Sequence, residues 1–242
     1  SALEKIDSYM PHDGIPQDAL LRMAKFKGIL DQWIADNEID ATAIQCWNSI
    51  QQNYGVNVCT LMSMMSENLM PSACETDITG LVSMYALQLA GAAPAILVDW
   101  NNNYGSDKNH CVLFHCGNFA KSFVPGCCMS NAKILATTMG TENTMGTVEG
   151  RIPSGKLTYA RVTTDEVNGV IRAYTGEGKF VNDELKTFGA RAVVEIPDLQ
   201  DLMRFICLNG FEHHVAVAKE NLAEMITEAF EGYLGWETYL HS

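Results

Sequence analysis

Residues 71–100 read PSACETDITGLVSMYALQLAGAAPAILVDW, and this stretch decides the fold. From Ile78 to Val98 it carries no charged side chain over 21 positions, which is long enough to raise the question of a membrane span. Gly80, Gly91 and Pro94 interrupt the run, and its texture changes midway. The reading is therefore a helix, a turn and a buried strand. Thr76 or Asp77 caps the helix, which runs to about Leu89 before Gly91 stops it, and Ala95 to Val98 form the strand leading into Asp99-Trp100.

Upstream, Pro16-Gln17-Asp18 opens an amphipathic run to about Ile34, with Leu20, Met23, Phe26, Leu30 and Trp33 at helical spacing. Ala41 to Gln45 is a short apolar strand, and Val58 to Leu69 a Met-rich helical stretch. Helices alternating with short apolar strands predict an α/β segment with a parallel sheet over residues 1–130. Beyond residue 130 glycines separate short segments, with strands expected at Leu157 to Val162, Val170 to Tyr174 and Ala190 to Ile196. Residues 131–242 are thus expected to form an antiparallel β-barrel-like or sandwich domain, closed by a C-terminal helix from about Lys219 to Leu234. The echo Thr138-Met-Gly-Thr and Thr144-Met-Gly-Thr reads as two turns.

The 242 residues are 47% hydrophobic and 19% charged, a composition that excludes disorder, collagen and coiled coil. Acidic side chains number 29 against 16 basic ones, a formal charge of −13, and no stretch concentrates Lys and Arg. Nucleic acid and anionic membrane surfaces are disfavoured as partners, because both need clustered positive charge. A small neutral substrate or a cation fits better. Eight cysteines in a chain with an ample core point to reduced thiols, buried for the most part, and to an intracellular compartment. No signal peptide is visible, and a first residue Ser suggests a start inside a longer gene.

Glu75 lies before one helix and Asp99 after the next strand, so both carboxylates can converge at the carboxyl ends of a parallel sheet. Two acids so placed need a cation or a shared proton; the plainer reading is a helix N-terminus and a turn. In Glu212-His213-His214-Val215 a strand would point the two imidazoles to opposite faces, leaving one to face a site. One imidazole with two carboxylates makes a mixed nitrogen and oxygen set suited to Mn²⁺, the alternative being structural or surface histidines. In His110-Cys111-Val-Leu-Phe-His115-Cys116-Gly117-Asn118 the spacings are too irregular for a zinc motif. Alternation instead puts Cys111, Leu113 and His115 on one face, with Gly117 admitting a close approach of backbone to a ligand. Cys74 has no local cation to activate it as a nucleophile. GxSxG, GxGxxG and P-loop motifs do not occur.

The run Pro71-x-x-Cys74-Glu75-x-Asp77, Gly91-x-x-Pro94 with Asp99, His115-Cys116-Gly117, Gly176-Glu177 and His213-His214-Val215 together resemble the L-fucose isomerase and L-arabinose isomerase superfamily over about residues 40–240. The resemblance implies a metal-dependent aldose–ketose isomerase working through a cis-enediol. Carried over by position, Glu75, Asp99 and His214 would hold Mn²⁺, with Glu75 and Asp99 also the acid/base pair. Trp100, Asn118, His115 and His213 are candidate sugar contacts, with Trp47 a further aromatic of the same kind. The resemblance further implies a cytoplasmic homo-oligomer, trimer or hexamer, of which this chain is a C-terminal portion. The segment after His214, Val-Ala-Val-Ala-Lys219-Glu220, lacks the Gly-Asp of related proteins. Two competing readings are a non-catalytic sugar-binding or assembly domain of the same fold, and a zinc-stabilised module using the cysteines.

Overall fold

In the computed structural model, which describes all 242 residues, the uncharged run folds as helix, turn and strand. The chain enters through α1 (Ala2–Tyr9) and α2 (Gln17–Asp36). Strands β1 (Thr42–Ile44) and β2 (Ser72–Cys74) enclose α3 (Ser49–Tyr54) and the Met-rich α4 (Cys59–Glu67). Helix α5 (Ile78–Gly91) then leads to β3 (Ile96–Asn103) and β4 (His110–His115). After β5 (Cys128–Asn131) and α6 (Lys133–Met139) come β6 (Met145–Arg151), β7 (Gly155–Asp165), β8 (Val170–Val181) and β9 (Ala190–Glu195). The last elements are α7 (Leu199–Leu208), β10 (His214–Ala218), α8 (Ala223–Glu228) and β11 (Glu237–His241).

No helix is long and apolar enough to cross a membrane. The apolar texture of α5 is explained by burial. Met84 and Leu87 are fully enclosed with Leu97, Ala160, Val162 and Ala216 of the sheet. Each such Leu or Met contributes about 1.5–3 kcal/mol over its exposed state, more than any difference in helix propensity among ordinary residues, at most about 0.7 kcal/mol. Packing therefore sets this helix, and Asp77 caps it by accepting from Gly80 N at 2.8 Å. Gly91 is the last helical residue rather than the stop: a Cβ there would meet Leu222 at 3.2 Å, and the left-handed turn falls on Ala92 at φ +48.

The expected parallel sheet is confined to β1 and β2, in register Ile44↔Cys74. Strand β3 does not join it. It lies between β10 and β4, antiparallel to both, inside a nine-stranded mixed sheet of order β11-β8-β7-β10-β3-β4-β9-β6-β5. Strands from before residue 130 thus sit in the middle of the sheet built otherwise from residues after it. Strand β9 pairs with β8 as well as β4, so the path β8-β7-β10-β3-β4-β9 returns to its start. The region expected to be purely antiparallel contains two parallel joints, β6 to β9 and β11 to β8.

The chain does not close on a helix. Helix α8 is short and passes into a π-helical turn at Ala229–Tyr233; Gly235, at φ +68, then reverses the backbone so that β11 covers the edge of β8. Unpaired backbone at a sheet edge is what this strand satisfies. Of the two echoed Met-Gly pairs only the first is a turn, with Gly140 capping α6, whereas Gly146 lies within β6. Gly117 does admit a close approach, but of protein backbone: at φ +117, a Cβ would stand 2.3 Å from Val148 O. Gly117→Ala should therefore cost about 2–4 kcal/mol from backbone strain and overpacking, read as a lower urea midpoint at unchanged m-value. An unchanged midpoint would remove this steric role.

Candidate functional site

Strand register brings the first two groups together. His214 on β10 lies directly opposite Asp99 on β3, and its Nε2 stands 3.3 Å from Asp99 Oδ1. The third comes from the small sheet, where the chain leaves β2 through Glu75 and Thr76, both left-handed at φ +60 and +59. Non-glycine residues there cost on the order of 1–3 kcal/mol each. Thr76 Oγ1 donating to Gln45 Oε1 at 2.7 Å and Asp77 N donating to Cys74 O at 3.1 Å hold the turn. The result puts Glu75 Oε2 at 3.8 Å from His214 Nε2.

His214 is oriented from behind by Asp77, whose Oδ2 is 2.9 Å from Nδ1. Burial opposes charge on Asp77, but hydrogen bonds from His214 and Arg161 outweigh it and hold the carboxyl well below the usual range. An ionised carboxylate only accepts, so Nδ1 carries a proton, and in the neutral ring Nε2 keeps the lone pair. That Nε2 is buried without a hydrogen-bond partner and faces two carboxylates. Neither Glu75 nor Asp99 has a Lys or Arg partner; their ion-pair contacts are to histidines alone.

Arg161 on β7 is the one guanidinium here, 1% exposed, and it is fully engaged. It donates to Asp77, to Thr79 Oγ1 at 2.9 Å and to Glu212 Oε2 at 3.2 Å, while Thr163 Oγ1 donates to Glu212 Oε1 at 3.0 Å. Glu212 therefore belongs to the support of the site, and Asp77 joins helix cap, guanidinium and imidazole.

His115, at the end of β4, is buried and its ring lies 5.4 Å from that of His214. Its Nδ1 accepts from Cys116 N at 2.9 Å, so in the neutral ring Nε2 bears the proton, and Nε2 has no partner in the protein. The donor atoms of Glu75, His115 and His214 lie within 4.8 Å of one another, as do those of Asp99, His213 and His214. His213 corrects the expectation of opposite faces. It precedes β10 rather than lying in it, so its side chain, 69% exposed, reaches Asp99 Oδ1 at 3.3 Å alongside His214.

The other candidates are engaged with the protein itself. Trp100 Nε1 donates to Tyr174 Oη at 2.9 Å, with its ring edge-on to Tyr159. Asn118 is buried and donates to Ser72 O at 3.2 Å, and Trp47 packs beside α4. Arg161 and the second role of Asp77 went unseen in the sequence. The available signal was a single charged residue inside the strand Leu157-Thr-Tyr-Ala-Arg161-Val.

The profile of the family described as "L-fucose isomerase, C-terminal domain" matches residues 113–241, more than half of the chain. The chain belongs to this family. His115, Asn118, His213 and His214 fall inside the matched span of the L-fucose isomerase C-terminal domain, whereas Glu75 and Asp99 precede it. Curated relatives extend further upstream. A sulfoquinovose isomerase of Alkalicoccus urumqiensis is 26% identical over 208 residues, 86% of this chain and 46% of that protein. One of Priestia megaterium is 26% identical over 215 residues, 87% and 46% respectively. A third, from Clostridium sp. (strain MSTE9), is 35% identical over 107 residues, 44% and 23%. The chain spans about half the length of the first two relatives.

Removing one partner from the buried ion pair leaves the other charge uncompensated. Arg161→Leu is expected to lower stability by roughly 3–5 kcal/mol, and Arg161→Lys to restore only part of it, since an ammonium cannot serve Asp77 and Glu212 in the same fork. Urea unfolding of the three proteins checks this; full recovery by Lys would mean that charge alone suffices.

Proposed function

We propose that this chain is the cation-holding portion of an aldose–ketose sugar isomerase that passes a proton through a cis-enediol. The observation carrying the proposal is the buried, unpartnered Nε2 atom of His214 facing the carboxylates of Glu75 and Asp99. One nitrogen and two carboxylate donors fit Mn²⁺ or a similar divalent ion, and the Asp77 hydrogen bond behind His214 is the support such a ligand needs. When bound, the cation supplies stabilisation for the negative charge that develops on the sugar oxygens.

The residues of the chain account for the rest. Moving a carbonyl from C1 to C2 requires removing a proton from C2 and returning it to C1, while the hydroxyl proton moves in the same sense, from O2 to O1. Glu75 and Asp99 act as the acid/base pair, one serving the carbon and the other the oxygen. The Nε2 proton of His115 is available to a sugar oxygen, and the exposed His213 lines the approach. Trp100 and Asn118 act from behind, positioning the strand ends that carry these groups. The family membership and the sulfoquinovose isomerase relatives support an isomerase of sugars.

The same proposal takes the returning strand path as a barrel and the protein as a cytoplasmic homo-oligomer, trimer or hexamer. Eight free thiols support a reducing compartment. Ile29 and Trp33 on α2 and Ile78 and Leu89 on α5, apolar and exposed, support an assembly.

Electron paramagnetic resonance of a Mn²⁺ titration tests the ligand set. The native chain is expected to bind one ion, and Asp99→Asn and His214→Ala each to weaken it. Glu75→Gln is expected to lower turnover across a panel of aldoses by about 10²–10⁴-fold with an unchanged circular dichroism spectrum. Binding indifferent to both ligand substitutions, or full turnover by Glu75→Gln, would overturn the assignment.

A further inference from the structure

Four of the eight cysteines meet at one place. Cys46 follows β1, Cys59 opens α4, Cys74 ends β2 and Cys116 follows β4. The thiols of Cys46, Cys74 and Cys116 lie within 4.8 Å of one another, and Cys59 Sγ is 3.8 Å from Cys116 Sγ. Three of the four are buried and Cys116 is half-buried. Val58, Met62, Met65, Ile44 and Trp47 pack around them, and His115 Nδ1 lies 3.3 Å from Cys116 Sγ.

As filling for a core, this arrangement gains little. A thiol is a weak donor and a weak acceptor, so four of them turned toward one another replace good packing with poor hydrogen bonds. A tetrahedral cation changes that balance. Zinc–sulfur bonds of about 2.3 Å in tetrahedral geometry place sulfurs about 3.8 Å apart, which matches the Cys59–Cys116 distance. Three sulfurs within 4.8 Å of one another, with Cys59 Sγ against Cys116, each from a different part of the chain, supply the four donors of a closed structural site rather than one with an open catalytic position.

We propose that Cys46, Cys59, Cys74 and Cys116 form a four-thiolate site for Zn²⁺. Thiolate donors select Zn²⁺ over the harder ions that suit carboxylates, so this site and the one at Glu75, Asp99 and His214 would take different metals from the same medium. Binding changes no oxidation state: each thiol that ligates releases its proton to the solvent. The site's place in the fold gives it a purpose. Cys74 immediately precedes Glu75, and Cys116 immediately follows His115. A bound Zn²⁺ would therefore clamp the small sheet to β4 of the large one, directly beneath the strained turn that presents Glu75.

The test uses the 242-residue chain, stripped with a chelator and titrated with Co²⁺, then with Zn²⁺. One Co²⁺ per chain is expected, with sulfur-to-cobalt charge-transfer absorption and the intense visible bands of tetrahedral coordination, both displaced by Zn²⁺. Cys46→Ser and Cys59→Ser should each lose the charge-transfer band, and Cys207→Ser, at an exposed position, should retain it. Glu75→Gln and His214→Ala should retain it too while weakening Mn²⁺ binding, so failure here and failure of the isomerase reading are distinguishable. A measurement needing no substitution is alkylation of the native chain followed by mass spectrometry. Zn²⁺ should slow modification of Cys46, Cys59, Cys74 and Cys116 by about tenfold or more, with little change at Cys128 and Cys207. Absence of sulfur charge transfer from the Co²⁺ form, or alkylation indifferent to Zn²⁺, would overturn the proposal.

Discussion

The carboxylate of Asp77 is the point on which the site depends. It receives the N–H of Gly80, the guanidinium of Arg161 and the Nδ1 proton of His214. These three donors come from α5, β7 and β10, so one side chain joins the helix to two strands of the sheet. An unpaired charge at the position of Arg161, 1% exposed, would cost several kcal/mol. Asp77 offsets that cost and, in the same geometry, turns the lone pair of His214 outward. Structural and chemical demands on this residue are inseparable: the hydrogen bond that completes the guanidinium's environment lies beside the one that fixes the imidazole.

Local signals were strong where the chain makes local choices. The 71–100 run shows a cap at Thr76 or Asp77, of which Asp77 is the one used, then its helix and the start of a strand that runs on through Asp99 to Asn103, because capping and burial act over a few residues. The family resemblance named Glu75, Asp99 and His214 as a set; the structure puts Glu75 and Asp99 at 3.8 and 3.3 Å from His214 Nε2, in two clusters that share this imidazole. What lay hidden depends on pairing across long separations. Asp77 meets Arg161 84 residues away and His214 137 residues away, and no period in the sequence reports such distances. The same limit hid the neighbours of β3. An apolar strand after a helix reads as parallel, yet β3 takes antiparallel partners on both sides because β4 and β10 are what the remainder of the chain supplies.

Misreadings near the C-terminus have a similar cause. The helical pattern after Lys219 is real for α8, but the sheet edge at β8 claims Glu237–His241 as a strand. The histidine pair was read with period-two alternation, which assumes that both residues lie in the strand. Since β10 begins at His214, His213 is free of the pleat, and both rings reach Asp99. The cysteines show the limit most clearly: positions 46, 59, 74 and 116 have no motif spacing, and only folding assembles them.

Two imidazoles of opposite polarity then give the site its chemical character. His214 has a proton held at Nδ1 by a carboxylate, so that in the neutral ring Nε2 keeps a lone pair. His115 has its Nδ1 lone pair occupied by the Cys116 N–H, leaving Nε2 a proton. Both Nε2 atoms are buried and unpartnered, and the rings are 5.4 Å apart. Unsatisfied buried polar atoms each cost about 1–3 kcal/mol, so a fold that keeps an acceptor and a donor orphaned side by side forgoes stability at this spot. A single hydroxyl can donate to the one and accept from the other, and a cation at His214 with an oxygen at His115 satisfies both as well. In the proposed function the carboxylates of Glu75 and Asp99 would favour the cation, and a hydroxyl-rich or carbonyl-bearing molecule resting against it would supply the oxygen.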